Sequence, residues 1–282
     1  MKKILKLLLP PIFVLIWQKL TNANAQPQAP RIAEGLEVVA SLELAQKLSK
    51  GYDDEVILAK YLASTQAVLS GKALFERDTV LFQEPELSLH ILACLEHIQN
   101  FYKQPLHVLD FGGALGSFFI QHRTYFEQKQ WPLLWTVVEQ PHFVEAGKKY
   151  LSELPIFFEE SILSAKNRQP MANVLFLSGV LPYLPEPLKW LEETLKNFDF
   201  QFVIIDRTLF SANNQPYFCV QHVPEHIYPS SYPCSVLSKS ALYAVLSSHY
   251  RLLTSIKSTV DYPEQLSNGI MANYEGGFWV KK

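Results

Sequence analysis

Asp110 closes a short apolar run, and Gly112, Gly113 and Gly116 follow it directly. Glycines let a backbone turn tightly and come close to a ligand, and a helix N-terminus behind such a loop offers free N–H groups. A carboxylate beside that loop would repel a pyrophosphate and attract a cation. Glu139 ends the next apolar run, 23 positions after Gly116, where an acid can accept both hydroxyls of a ribose. The order is D-x-G-G-x-x-G rather than G-x-G-x-x-G. Together these features suit a nucleoside that carries an ammonium and a sulfonium, S-adenosylmethionine, better than NAD. An ordinary glycine turn is the alternative, because such loops alone are weak signals.

Other residues have types suited to transfer chemistry. Asp206 and Arg207 end an apolar run in "IIDRT". Arg207 is expected to clamp a carboxylate or phosphate on a substrate. In "QHVPEHIYPSSYPC", His222 is the candidate general base, being of the residue type that titrates near neutrality. A hydrogen-bonded structural histidine is the competing reading there. Cys219, His222, His226 and Cys234 form a C-x2-H-x3-H-x7-C pattern, but that spacing matches no common zinc site, and no metal is expected. "FERDTVLF", with Glu76, Arg77 and Asp78, reads as a lid segment or as an exposed turn. His90, His97 and His122 read as structural.

The elements that must position these residues follow from periodicity. From Pro105 onward, short apolar runs ("LHVLDF", "LLWTVVE", "PIFFEES", "NVLFLS", "QFVIID") alternate with helical patterns. That alternation implies a parallel sheet covered on both faces, with ligands beyond the carboxyl ends of its strands. After Asp206 the rhythm fails for about thirty residues, which are expected to fold back as a loop forming the acceptor pocket. A helix ("SKSALYAVLSSHY") and two strands close the chain. Residues 31–104 are mostly helical in pattern and read as a cap; residues 105–282 read as the catalytic domain.

The chain of 282 residues has a net charge of -2 and no long basic stripe, so nucleic acid is not an expected partner. Its three cysteines do not make a disulfide framework and suit a reducing compartment. Residues 1–30 comprise an apolar segment with Lys2, Lys3 and Lys6, broken by Pro10 and Pro11, and a polar linker. The apolar run is too short to span a bilayer. A packing helix or a peripheral anchor through residues 1–20 ranks ahead of an export signal cleaved after Ala25. The expected location is cytoplasmic, with peripheral contact to the inner membrane.

From about Gly51 onward the sequence resembles the class I S-adenosylmethionine-dependent methyltransferases. More narrowly, it resembles a bacterial group of such proteins often associated with cell-surface polysaccharide genes. The stretches that carry the likeness are "GYDDEVIL", "FERDTVLF", "LDFGGALGS", "VVEQPHFVEAG", "LFLSGVLPYLPEP", "IIDRTLF" and "QHVPEHIYPSSYPC". The resemblance implies an α/β, Rossmann-like sheet of seven strands with an N-terminal helical cap. It implies cofactor contacts at Asp110, Gly112, Gly113 and Gly116, ribose recognition by Glu139, and adenine-side contacts near Ser161 and Ile162. Ser178 and Gly179 would border the transfer site. The expected acceptor is a small molecule or a surface-glycan precursor. Two other readings stand beside it: a methyltransferase-like binding subunit without activity, and an NAD-dependent oxidoreductase.

Overall fold

The structure, a computed structural model, describes residues 35–50, 54–103, 105–223 and 230–282. Glu34–Lys282 form one compact unit. The expected strand–helix alternation is present: β4 (Leu106–Phe111), α4 (Ser117–Lys129), β5 (Leu133–Val138), α5 (Pro141–Tyr150), β6 (Ile156–Glu159), α6 (Ile162–Arg168), β7 (Val174–Ser178), α7 (Pro187–Asn197) and β8 (Phe202–Ser211). After β8 come α8 (Lys239–Ser247), β11 (Tyr250–Lys257), β12 (Glu264–Gln265) and β13 (Met271–Lys281).

These strands form one sheet of order β11-β13-β8-β7-β4-β5-β6, with β12 attached to β13. The strands β6, β5, β4, β7 and β8 are parallel, and β13 inserts antiparallel between β8 and β11. This is the seven-strand path that the resemblance implies. Alternate residues serve opposite faces: Val108, Phe176 and Ile204 join one core, and Leu109, Leu175 and Val203 the other. Both faces are covered, and for that reason the strands read as continuous apolar runs rather than as polar–apolar alternation. The chain leaves β4 towards β5 and β6 on one side and returns through β7 and β8 on the other. The carboxyl ends of β4 and β7 therefore flank the switch point, where open sheets of this kind bind ligands.

One expectation gains detail and another needs correction. Residues 31–104 carry short strands among the expected helices. Helices α1 (Leu42–Leu48), α2 (Asp54–Leu69) and α3 (Leu89–His97) are accompanied by β1 (Gly35–Val39) and by a hairpin of β2 (Phe75–Arg77) and β3 (Val80–Phe82). The stretch after Asp206 is not a loop. Strand β8 runs on to Ser211, and β9 (Tyr217–His222) and β10 (Ser231–Val236) follow. Strands β1, β9 and β10 form a separate antiparallel sheet with β9 in the middle. Its Leu36, Cys219, Cys234 and Val236 pack on Leu209 and Ala272 from β8 and β13. Among the described residues no helix is long and apolar enough to cross a membrane; residues 1–30 lie outside them.

Candidate functional site

The glycine loop begins where β4 ends. Gly112, Ala114 and Gly116 all have positive φ, at 76°, 50° and 80°. The Gly112 N–H donates to the Val138 carbonyl at 2.9 Å, which ties the loop to β5. Gly113 has a different need for the missing side chain: a Cβ there would lie 2.4 Å from Asp110 Oδ2. The Asp110 carboxylate thus occupies the space beneath the loop. It is 2% exposed and accepts a hydrogen bond of 3.0 Å from Trp135 Nε1. Burial raises its pKa to about 7, against the pull of the Trp135 donor; the nearby Glu139 charge adds to the rise.

Glu139 follows β5 and stands across from the loop. Its Oε2 accepts from the Gln140 N–H at 2.7 Å. Burial raises its carboxyl pKa, while the N–H groups of Gln140 and Ala114 draw it down. Ser161 is the N-cap of α6 in a capping box with Ser164, and Ile162 is a core residue at 7% exposure. Both have local structural work that their place after β6 explains.

The other side of the site is made by the ends of β7 and β8. Ser178 ends β7, and Gly179, at φ +71°, donates its N–H to the Asp206 carbonyl at 3.0 Å. Asp206 and Arg207 sit in a bulge between β8 and β13, where the pairing shifts register around Gly276 and Arg207 has a φ of 52°. Asp206 is 5% exposed. Its Oδ2 lies 3.3 Å from His90 Nε2, and its Oδ1 has no partner. Arg207 gives a two-pronged contact to Asp261, with Nε to Oδ2 at 2.9 Å and Nη2 to Oδ1 at 3.0 Å. Its Nη2 also reaches Asp78 Oδ2 at 2.8 Å. Two carboxylates therefore neutralise Arg207, which leaves the anion clamp expected of it without a free charge.

Asp78 belongs to the β2–β3 hairpin, the "FERDTVLF" segment. Asp78 and Thr79 form its turn with φ of 51° and 69°. Phe75 and Phe82 stack at 4.6 Å, with the Arg77 guanidinium over both rings, and Arg77 pairs with Glu86. The hairpin encloses a cavity of about 110 Å³ between itself, the glycine loop and the β7 and β8 ends. Asp110, Gly112, Gly113, Ser178, Asp206 and Arg207 line it. So do Glu76, from the segment read as a lid, and His90 and Ser117, which sequence reasoning did not assign to the site.

Six expected members are outside the cavity lining: Gly116 (the N-cap residue of α4), Glu139, Ser161, Ile162, Gly179 and His222. His222 ends β9, and its Nε2 meets Glu37 Oε2 at 3.0 Å across the small sheet. The zinc pattern does not converge. Cys219 and His222 are three residues apart on one strand and so face opposite ways, Cys219 and Cys234 are core residues, and His226 lies outside the described residues. His122 is structural, as expected: it accepts from the Ser88 N–H at 3.0 Å and donates to the Phe118 carbonyl at 2.8 Å. Burial lowers its pKa to about 4.

A larger groove of about 510 Å³ lies beside α8. Its polar groups satisfy one another: Lys239 pairs with Glu275, and Asn214 bonds Ser238 and Ser240. The smaller cavity is the candidate site because buried polar atoms there lack partners.

No protein-family model matches the sequence, and no curated protein matches it. Solved structures do resemble the fold. The N-terminal domain of EvdMO1, crystallised in the presence of SAH and D-fucose, matches 79% of this chain and 97% of its own at 11% identity, with a TM-score of 0.43. The glycopeptide N-methyltransferase MtfA, complexed with S-adenosyl-L-methionine, matches 65% of this chain and 92% of its own at 12% identity and 0.40. A protein described as a pericyclic reaction enzyme matches 79% of this chain and 54% of its own at 12% identity and 0.46.

Proposed function

We propose that this chain is an S-adenosylmethionine-dependent methyltransferase. The observation that carries the reading is the buried Asp110 carboxylate beneath Gly113, at the switch point of a seven-strand path and facing a cavity rich in acids. A pyrophosphate would meet repulsion there, and a cationic nucleoside would meet attraction. The residues fit the cofactor: Glu139 for the ribose hydroxyls, the backbone of Gly112 and Gly113, which lines the cavity, for close approach, and Asp110 for the cationic end. When bound, the cofactor supplies a methyl group on positively charged sulfur.

The chain's own contribution to the reaction is position and proton removal. Asp206 orients His90, so His90 can take the proton of an acceptor hydroxyl or amine. Asp206 thus keeps its assigned place near the chemistry as a positioning residue, and His90 replaces His222 as the base. With Arg207 held by Asp78 and Asp261, the acceptor's own recognition does not rest on a free arginine. A sugar hydroxyl of a surface-glycan precursor fits this requirement, as does another small molecule. The lysines and apolar residues of segment 1–20 support peripheral attachment of a cytoplasmic enzyme.

Calorimetry with S-adenosylhomocysteine tests the reading. Binding is expected, with Glu139→Ala weakening it by about 1.5–3 kcal/mol, as loss of hydrogen bonds to a charged group does. Binding of NADH without any response to S-adenosylhomocysteine would overturn it.

A further inference from the structure

Cys219 and Cys234 stand directly opposite each other in the antiparallel pair of β9 and β10. Opposite residues project from the same face of a sheet, and here that face packs into the core of Leu36, Leu209, Val236 and Ala272. Both thiols are free, and both residues are enclosed, at 0% and 1% exposure. Their side chains share a hydrogen bond. The third cysteine, Cys94, belongs to another core, where its Sγ donates to the His90 carbonyl at 3.1 Å. Opposite residues of an antiparallel pair have Cα atoms about 4.5–5.5 Å apart. A disulfide closes across about 4.4–6.8 Å, so the pairing of β9 with β10 already supplies the spacing. The reaction outlined above uses neither thiol.

We propose that Cys219 and Cys234 are a reversible disulfide site, and that closing it staples β10 to β9 in the small sheet. The site stands independently of the function proposed above. A small disulfide such as glutathione disulfide is the oxidant. One cysteine, as its thiolate, attacks a sulfur of the oxidant and expels the first glutathione thiolate. The other cysteine then attacks the mixed disulfide and expels the second. The two cysteines together give up two electrons and two protons and gain one S–S bond, and the oxidant becomes two thiols. The folded sheet controls the timing of this exchange. Only a thiolate attacks, and the hydrogen bond with Cys219 and burial hold the Cys234 thiol well above the usual thiol range. The closed sheet therefore preserves whichever state it holds, and exchange proceeds when β9 and β10 part. The bond matters most there, because β10 covers one edge of β9, and an uncovered edge is a template for pairing with another chain.

The experiment incubates the full chain with glutathione disulfide, in buffer and in urea below the unfolding transition, then alkylates the remaining thiols and digests with trypsin. Cleavage after Arg207 and Lys239 leaves Cys219 and Cys234 on one peptide, and Cys94 falls on another. The first peptide is expected to be lighter by two hydrogen atoms and unalkylated, and the Cys94 peptide to be alkylated. The bond should form faster in urea than in buffer. The oxidised protein should melt roughly 5 °C or more above the reduced one, as closure of a loop of about 15 residues predicts. Cys219→Ala and Cys234→Ala should each abolish that difference; should either fail to fold, the wild-type peptide masses carry the test. Alkylation of both cysteines in both conditions, a lasting glutathione adduct, or a bond to Cys94 overturns the site. A bond that leaves the melting temperature unchanged or lowers it overturns the staple.

Discussion

Asp110 sets a pH dependence that can be measured directly. Its folded pKa is raised from an ordinary value of 3.8 to about 7, chiefly by burial. Between those values the unfolded chain has lost the proton while the folded chain keeps it, so this group lowers folding stability as pH rises through that window. A cation that needs the ionised carboxylate reverses the penalty. The affinity for S-adenosylmethionine, which carries the sulfonium, is therefore expected to rise about tenfold per unit as pH climbs towards 7, and to level off above it. Asp110→Asn should remove most of that slope; a flat profile in wild type would remove Asp110 from the cation's neighbourhood. His90→Ala should lower turnover by roughly a hundredfold or more with S-adenosylhomocysteine affinity unchanged, as loss of a general base does. His222→Ala should leave turnover within a few-fold, and a large loss there would restore His222 to the reaction. The places of Asp110, the glycines and Glu139 at strand ends were legible in the sequence, because their spacings are short and regular. His90 was hidden: its partner Asp206 is 116 positions away, and a histidine in an amphipathic helix looks like any half-buried one. His222 drew attention through its aromatic, proline-rich surroundings, which the structure explains as sheet.

Among the elements, the bulge between β8 and β13 decides where Asp206 and Arg207 point. Two residues of β8 oppose Gly276 alone, and a Cβ on Gly276 would fall 1.9 Å from the Ile205 carbonyl oxygen. Backbone cannot yield as a flexible side chain can. Gly276→Ala is thus expected to cost about 3 kcal/mol, the upper range of overpacking, and to weaken ligand binding by shifting the bulge; a melting curve equal to wild type would contradict this. The hairpin depends on the same bulge. Arg207 ties Asp78 in its turn to Asp261 beside β11, so Arg207→Ala should loosen the cover. A faster dissociation of S-adenosylhomocysteine by stopped flow is the expected sign, whereas a change confined to the acceptor's KM would favour the anion clamp. The parallel strands were readable because burial on both faces makes them continuous apolar runs. Strands β9 and β10 were not. "YFCVQH" and "SYPCSV" are short, mixed in polarity and interrupted by Pro233, and the partner that makes the first a central strand is β1, far away in the chain.

That long-range pairing sets the limits of the folding unit. Gly35 lies opposite His222 and Val39 opposite Phe218, so the first described strand is held by residues near the end of the β8–β10 region. Sequence periodicity suggested a break near residue 104 because helices dominate before it and strands after it. Periodicity reports local structure, and an antiparallel partner some 180 residues away leaves no local trace. Contacts instead group Glu34–Lys282 together. The consequence for truncation is sharp. A chain of residues 34–282 should fold and bind S-adenosylhomocysteine. A chain of residues 41–282 loses β1, and with it Leu36, which is 3% exposed in the core beneath the small sheet. Losing a buried leucine side chain alone costs about 2–5 kcal/mol, a large share of the 5–15 kcal/mol that a typical domain has in reserve. It also uncovers the edge of β9, a template for pairing with another chain. The shorter chain should therefore melt well below the longer one and elute partly as aggregate in size-exclusion chromatography. Equal melting temperatures and a clean monomer peak from both would show that β1 is an accessory strand, and that the unit begins at α1.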